Sequence, residues 1–453
     1  MALTKATYSM IKGAVVNVLD YGAVGNGTTD DTAAFQAALA TGKAVYAPAN
    51  TYVLSGALQM QAGQTMFGDG HQLTLFTCKT TVFTGVFINM TANCRLAKLQ
   101  LASNITNPSL LAGTGVRAWN PAGEYNFTGY INLDDVNIVG FNYGIDINNI
   151  YFLRYCVGQL NNNAYGINIA PSYSASQDSG YVTTLTFEKL DIFNNIIGVK
   201  GESTIVSKNV VFRDCAIESN TSLNYQAYLR NIIMLSFENC YLEDGDSIGI
   251  LLSTCETSMV QMYCNGGGGI SLGTNANKFY GRYVYASAAN DIFVANGGSN
   301  QRIHLENSSF AAGSDFNAEN VQFQNVDANG ANYKNNFGGY PLALSRGVVT
   351  GNGSNVSDVI VYKKTVTQTI SANTSAAIIT DQYVNALWLA DYTAAFASIA
   401  NAYKPGLILT VTPATTGDQN YFCVIATNTT GSSISLTSAQ IKVVFLAGTA
   451  IAI

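Results

Sequence analysis

The chain has 453 residues, of which 48% are hydrophobic and only 11% charged, with a formal net charge of −6. That length is too great for one compact core unless the architecture is elongated. The acidic balance without a basic tract argues against a nucleic-acid partner, and no apolar run of ~18 residues marks a membrane span.

Residues 1–56 read as a leader and capping segment. The start, MALTKATYSMIKG, lacks the apolar core of a signal peptide, so synthesis in a cytosol is expected. Asn17–Gly42 carries a turn-rich strand end and then good helix formers over Ala33–Leu39, with Thr29 or Asp30 placed to cap them. Ala44–Gly56 reads as strand, turn, strand. A helix here suits the open end of a sheet stack, whose unpaired edges need cover.

Residues 57–344 are dominated by a repeat. FEKLDI begins at Phe187, FRDCAI at Phe212 and FENCYL at Phe237, each 25 residues after the last. The same apolar-x-x-small-x-apolar pattern fits LAKLQL at Leu96, LDDVNI at Leu133 and LENSSF at Leu305. A second pattern follows about twelve residues on, as in YGIDI at Tyr143, YGINI at Tyr165, IGVKG at Ile197 and IGILL at Ile248. Each alternates inward and outward and then turns, with no helix-length stretch between. Short strands with Asn- and Gly-rich corners at this period predict a parallel β-helix. Coil starts are expected near 133, 155, 187, 212, 237, 258, 279 and 305, with APSYSASQDSGY (Ala170–Tyr181) inserted as a lateral loop. The eight cysteines lack CxxC spacing, and Cys215 and Cys240 share one repeat position, as buried free thiols would.

Residues 345–453 read as a separate β-rich domain, sandwich-like, for trimerisation or carbohydrate binding. Strands recur from Val359 on, and the Ala-rich stretch ALWLADYTAAFASIANAY is expected to be helical.

NVLDYGAVGNGTTDDTAAFQAAL (Asn17–Leu39), with the GDG turn at Gly68–Gly70, resembles the opening of the pectate-lyase-like right-handed β-helix superfamily, in particular bacteriophage tailspikes. The resemblance implies an all-β fold: a right-handed parallel β-helix with a short N-terminal helix cap and a C-terminal β-domain. It also implies a homotrimer attached to phage tail or baseplate proteins. Such a virion protein is made in the host cytoplasm and cleaves a bacterial capsular or O-antigen polysaccharide. Catalytic positions vary within such a family, so none transfers by motif.

The site must therefore come from stacking. The fifth template position gives Asn137, Gln159, Asp191, Ala216, Tyr241, Met262, Tyr283 and Ser309; the position after the template gives Phe193, Glu218, Glu243 and Tyr285 among others. Together they put carboxylates and aromatics on one face, as an oligosaccharide requires. Glu218 and Glu243 are expected on adjacent strands ~4.8 Å apart, where like charges drive one pKa up and yield an acid and a base. Asp191 is the reserve carboxylate. Substrate contacts are expected from Tyr241, Tyr283, Tyr285, Phe193, Arg282 and, in the corner after Glu243, Asp246.

Glycosidic hydrolysis by this pair leads. β-Elimination of a uronate polymer is the alternative, with Arg282, Arg302 and His304 supplying cation and base beside Lys278 and Tyr283. A non-catalytic polysaccharide adhesin and a purely structural virion protein are the other readings. His71, after the GDG turn, is expected to be structural. With no G-x-S-x-G motif and only 2 histidines, a serine-nucleophile deacetylase is disfavoured. No cofactor or metal is expected.

Overall fold

The computed structural model describes residues 15–79, 84–103, 112–119, 130–171, 182–220, 225–243, 248–266, 269–273, 277–286, 293–295, 301–311, 314–316, 320–324, 326, 358–382, 392–399, 407–416 and 419–447. The strands from Val16 to Gln324 form two sheets of 18 and 11 strands, and their ladders are parallel. They wind into a parallel β-solenoid of about 10 turns. Inside, large apolar side chains stack coil on coil in one continuous core. Phe187, Phe212 and Phe237 lie face to face with centroids 4.8 and 5.0 Å apart. This stack is the physical origin of the 25-residue echo.

The register runs Leu96, Leu133, Tyr155, Phe187, Phe212, Phe237, Met259, Gly281, Leu305. Six of the expected starts hold. Two are corrected: the weak coils begin at Met259 and Gly281, not at 258 and 279. Gly281 occupies the large apolar position because Leu305 of the next coil fills its space. A Cβ there would lie 2.6 Å from a Leu305 methyl.

Each rung of the larger sheet bends at the third template position. Asp135, Val157, Lys189, Asp214, Asn239, Gln261, Tyr283 and Asn307 all have left-handed φ, between 46° and 58°. A left-handed L-residue costs ~1–2 kcal/mol, yet ladder pairs on both sides of the bend hold it in place. The column forms a ridge dividing the rung into two outward faces. A second bend follows the downstream face, at Asn162, Asn194 and Ser219. The next residues, Asn163, Asn195 and Asn220, turn inward and are buried. Asn163 donates through Nδ2 to Asn195 Oδ1, and Asn195 through Nδ2 to Asn220 Oδ1, both at 3.0 Å. The same oxygens accept the backbone N–H of the preceding ladder member. Gln226 closes the series: it accepts from Asn220 and donates to the Glu243 carbonyl at 2.8 Å.

The N-terminal helix spans Thr32–Ala40, and Phe35 packs edge-on against Tyr52 and Phe76 at 5.1 and 4.9 Å. Its cap differs in detail from expectation. Asp31 is the N-cap residue but its carboxylate accepts from the Val24 and Gly25 amides. Asp30 accepts from the Thr32 amide at 3.1 Å and from Ser55. The Ser55 and Thr32 hydroxyls hold its carboxyl well below the usual range. His71 joins the GDG turn to Asp135 at 2.5 Å, a bond between distant coils.

Residues from Asp358 on form two three-stranded antiparallel sheets. The Ala-rich stretch is corrected: Tyr392–Ile399 is a strand paired with Ile434–Ala447. Pairing with a long neighbour overrides the helix propensity of alanine. Among the described residues seven cysteines are free and buried.

Candidate active site

The downstream face carries the carboxylates. Its first outward column runs Asn137, Gln159, Asp191, Ala216, Tyr241, Tyr263, Tyr285, Ser309. Its second runs Asn161, Phe193, Glu218, Glu243, Asn265. Glu218 and Glu243 are direct ladder partners on one flank. The corrections of one residue at Met259 and two at Gly281 change the tyrosines. Tyr263 takes the place assigned to Met262, which is buried, and Tyr285 takes that of Tyr283. Tyr283 stands on the left-handed ridge with the Arg282 guanidinium 5.0 Å over its ring, outside the stack. Asp246 lies outside the described residues.

Asp191 has the most distinctive surroundings. Gln159 reaches its Oδ2 at 3.4 Å and is itself held by Asn137, whose Nδ2 donates to Gln159 Oε1. The other oxygen, Oδ1, is shielded from water and has no hydrogen-bond partner. An unpartnered, desolvated carboxylate oxygen disfavours the charged form. Burial accordingly pushes the Asp191 pKa up, with the Gln159 bond opposing it. Ala216, next in the column, puts only a methyl group beside the acid.

Glu243 faces a different neighbourhood. Asn265 Nδ2 donates to its Oε1 at 3.2 Å, and its carboxylate also engages the Tyr241 hydroxyl, raising that phenol's pKa. Tyr241 and Tyr263 are stacked, centroids 5.6 Å apart and planes 6° off parallel. Tyr263 and Tyr285 remain 47% and 43% exposed, which makes a strip of accessible aromatic surface running along the solenoid from the acid. From ladder geometry, Glu218 and Glu243 have Cα atoms ~4.8 Å apart. Asp191 and Glu218, one strand across and two residues along, are ~8 Å apart. The buried Asn ladder fixes the corner that follows this face, since Asn220 lies two residues beyond Glu218.

Arg282, His304 and Arg302 lie across the ridge, on the upstream face. Glu306 accepts from His304 Nε2 at 2.9 Å and from the Tyr280 hydroxyl at 3.2 Å, with Arg282 Nε at 3.7 Å. The His304 bond chiefly holds the Glu306 carboxyl below its usual range. Among the described residues no group of three or more His, Cys, Asp or Glu side chains is placed to hold a metal ion.

With this geometry in place, comparison with known proteins defines the class. Residues 15–245 match the family described as rhamnogalacturonase A/epimerase, pectate lyase-like, and the chain belongs to that family. Among solved structures it is similar to the A-module of the mannuronan C-5 epimerase AlgE6 of Azotobacter vinelandii. That match has 13% identity and a TM-score of 0.51, and covers 69% of this chain and 98% of the module. It is also similar to the enzymatically active domain of bacteriophage CBA120 tailspike protein 2, at 14% identity, 97% and 77% coverage and a TM-score of 0.48. Geobacillus virus E2 ORF18 is similar at 12% identity, 97% and 79% coverage and a TM-score of 0.46. No curated protein is significantly similar to the chain in sequence.

Proposed function

We propose that this protein is a phage tailspike that binds a bacterial surface polysaccharide and hydrolyses its glycosidic bonds on the downstream face of the β-helix. The observation that carries the reading is Asp191: a carboxyl with a raised pKa and an oxygen unpartnered among the described residues, next to Ala216 at the head of a tyrosine strip. Membership of a pectate-lyase-like family and the tailspike-like Asn17–Leu39 segment support a polysaccharide as substrate. In this reading Asp191, whose burial favours the protonated form, is the general acid. It gives its proton to the glycosidic oxygen as the bond from that oxygen to the anomeric carbon breaks. Glu218 takes a proton from the water whose oxygen bonds to the anomeric carbon. With Cα atoms ~8 Å apart, carboxyl groups held at a like separation leave room for that water and suit inversion of configuration. Glu243, engaged with Tyr241 and Asn265, is a positioning residue that holds the aromatic strip. Trimer formation, attachment to the phage tail and a role for the C-terminal sheets in either trimerisation or sugar binding belong to the same proposal.

The test is release of new reducing ends from a panel of capsular and O-antigen polysaccharides. Activity on one polymer should fall by ~10²–10⁴ in Asp191→Asn and Glu218→Gln, and less in Glu243→Gln. Unchanged cleavage in the first two variants sinks the assignment. Absorbance near 235 nm during cleavage, from an unsaturated uronate product, would replace hydrolysis with β-elimination. Binding without cleavage of any polymer would make the protein an adhesin.

A further inference from the structure

The upstream face holds a groove of about 730 Å³ that the proposed hydrolysis does not use. Small-molecule sites span ~300–1,000 Å³. A second hollow of about 410 Å³ adjoins it, and Glu256, Lys278 and Arg302 line both. These three are successive members of one column, Glu256 paired with Lys278 and Lys278 with Arg302 in the ladder. Two cations stacked in adjacent strands repel each other. Glu256 forms an ion pair with Lys278, and Glu238, the other carboxylate of the groove, pairs with Arg213 at 2.8 Å. Among the described residues no carboxylate pairs with Arg302. Among the described residues the groove thus keeps one guanidinium without a carboxylate partner, on a protein that is acidic overall. One column over, Tyr280 and His304 stack with centroids 5.3 Å apart, and Glu306 ties both in place. The same column continues as Ser258 and Ser236, and Met234, Phe279 and Ile303 add apolar surface to the groove.

We infer that this groove is an accessory binding site for an anionic sugar, its acidic substituent held by Arg302 and Lys278 and its ring laid along Tyr280 and His304. A guanidinium fork matches a carboxylate or phosphate bidentately, and a stacked aromatic edge tolerates the apolar side of a pyranose. Lys278 and Arg302 lie four and five ladder steps from Asp191, ~19 and ~24 Å along the solenoid, and across the ridge. The site therefore grips the polymer away from the bond that is cut. That last statement rests on the function proposed above; the affinity for an anionic sugar does not.

Isothermal titration calorimetry on the full chain carrying Asp191→Asn and Glu218→Gln tests binding apart from cleavage. The probes are trigalacturonate, mannose 6-phosphate and, as neutral control, maltotriose. Trigalacturonate or mannose 6-phosphate should bind and maltotriose should not, and which of the two binds identifies carboxylate or phosphate. Affinity should weaken at least 10-fold on adding Arg302→Ala, and fall as salt is raised. Arg302→Lys should restore part of the loss. Arg302 is surface-exposed, so its replacement leaves folding unaffected. Failure of both anionic probes to bind, equal binding of maltotriose, or an Arg302→Ala variant that binds as its parent would each overturn the inference. None of these outcomes bears on whether Asp191 cleaves.

Discussion

Replacing Asn195 by alanine should cost far more than its distance from the solvent-facing chemistry implies. Asn195 is fully buried, and its amide makes both links of the ladder. Its Oδ1 accepts the backbone N–H of Asn163 at 3.0 Å, and its Nδ2 donates to the Leu160 carbonyl at 2.8 Å. Asn163 Nδ2 keeps the Ile138 carbonyl, and Asn220 Oδ1 keeps the Asn195 amide. The variant therefore strands chiefly the Asn163 N–H and the Leu160 carbonyl. A buried group left without a partner costs ~1–3 kcal/mol, and the small cavity adds to this, so ~3–5 kcal/mol is expected. The exposed left-handed neighbour Asn194 is the control: Asn194→Ala should cost only ~1 kcal/mol. The assay is native-state hydrogen exchange of the Asn163 amide, which reads the opening free energy at one site without requiring two-state unfolding of a long chain. Exchange should accelerate ~100-fold or more in Asn195→Ala, since ~1.4 kcal/mol is a factor of ten. A rate within a few-fold of wild type would falsify the reasoning, because the ladder would then contribute nothing beyond what water supplies.

Three further outcomes are expected. Asp191→Asn should raise the urea midpoint at pH 7 while removing activity. The folded-state pKa of Asp191 is raised, so ionisation in the folded chain is a cost above that pKa; the gain should vanish below about pH 4, where the carboxyl is protonated in both states. The alkaline limb of the pH–rate profile should also disappear or shift in this variant, whereas an unaltered limb would exclude Asp191 as the acid. Tyr263→Ala should raise KM ~3–10-fold with kcat little changed, from the ~0.5–1.5 kcal/mol an aromatic contact contributes, while Tyr283→Ala leaves KM alone. Finally, the seven cysteines from Cys78 to Cys264 should react with a thiol reagent only on unfolding. Burial pushes Cys78 up to about 12 and Cys255 up to about 11, so rapid labelling of either in native protein would contradict the packing.

The solenoid was readable because its inner column is made of one residue type for three coils: Phe187, Phe212 and Phe237 repeat in sequence because they stack in space. The reading slipped by one residue at Met259 and by two at Gly281. At Gly281 the large inner side chain is supplied by the next coil, so the pattern loses its first apolar position. One coil earlier, Met262 stands where the pattern required a small residue, and Tyr263 was missed for that reason. The alternation Met259, Met262, Cys264, all buried, contains the correct register once the requirement for a small fourth residue is dropped. The Asn ladder had a signal too, an Asn pair or Ser–Asn at fixed distance after each second-column residue. Nothing in the sequence, however, distinguishes an asparagine turned inward from one at a solvent corner. The surroundings of Asp191 were illegible in principle. They depend on which oxygen Gln159 reaches, and only packing decides that.

The winding between Tyr155 and Phe187 is 32 residues long, yet the ladders above and below it stay in phase. The register of the ladder is thus kept whatever the length of the winding, leaving Asp191 seated where a shorter winding would put it. Such a scaffold lets one winding lengthen or shorten while every position on its ladders stays where it was.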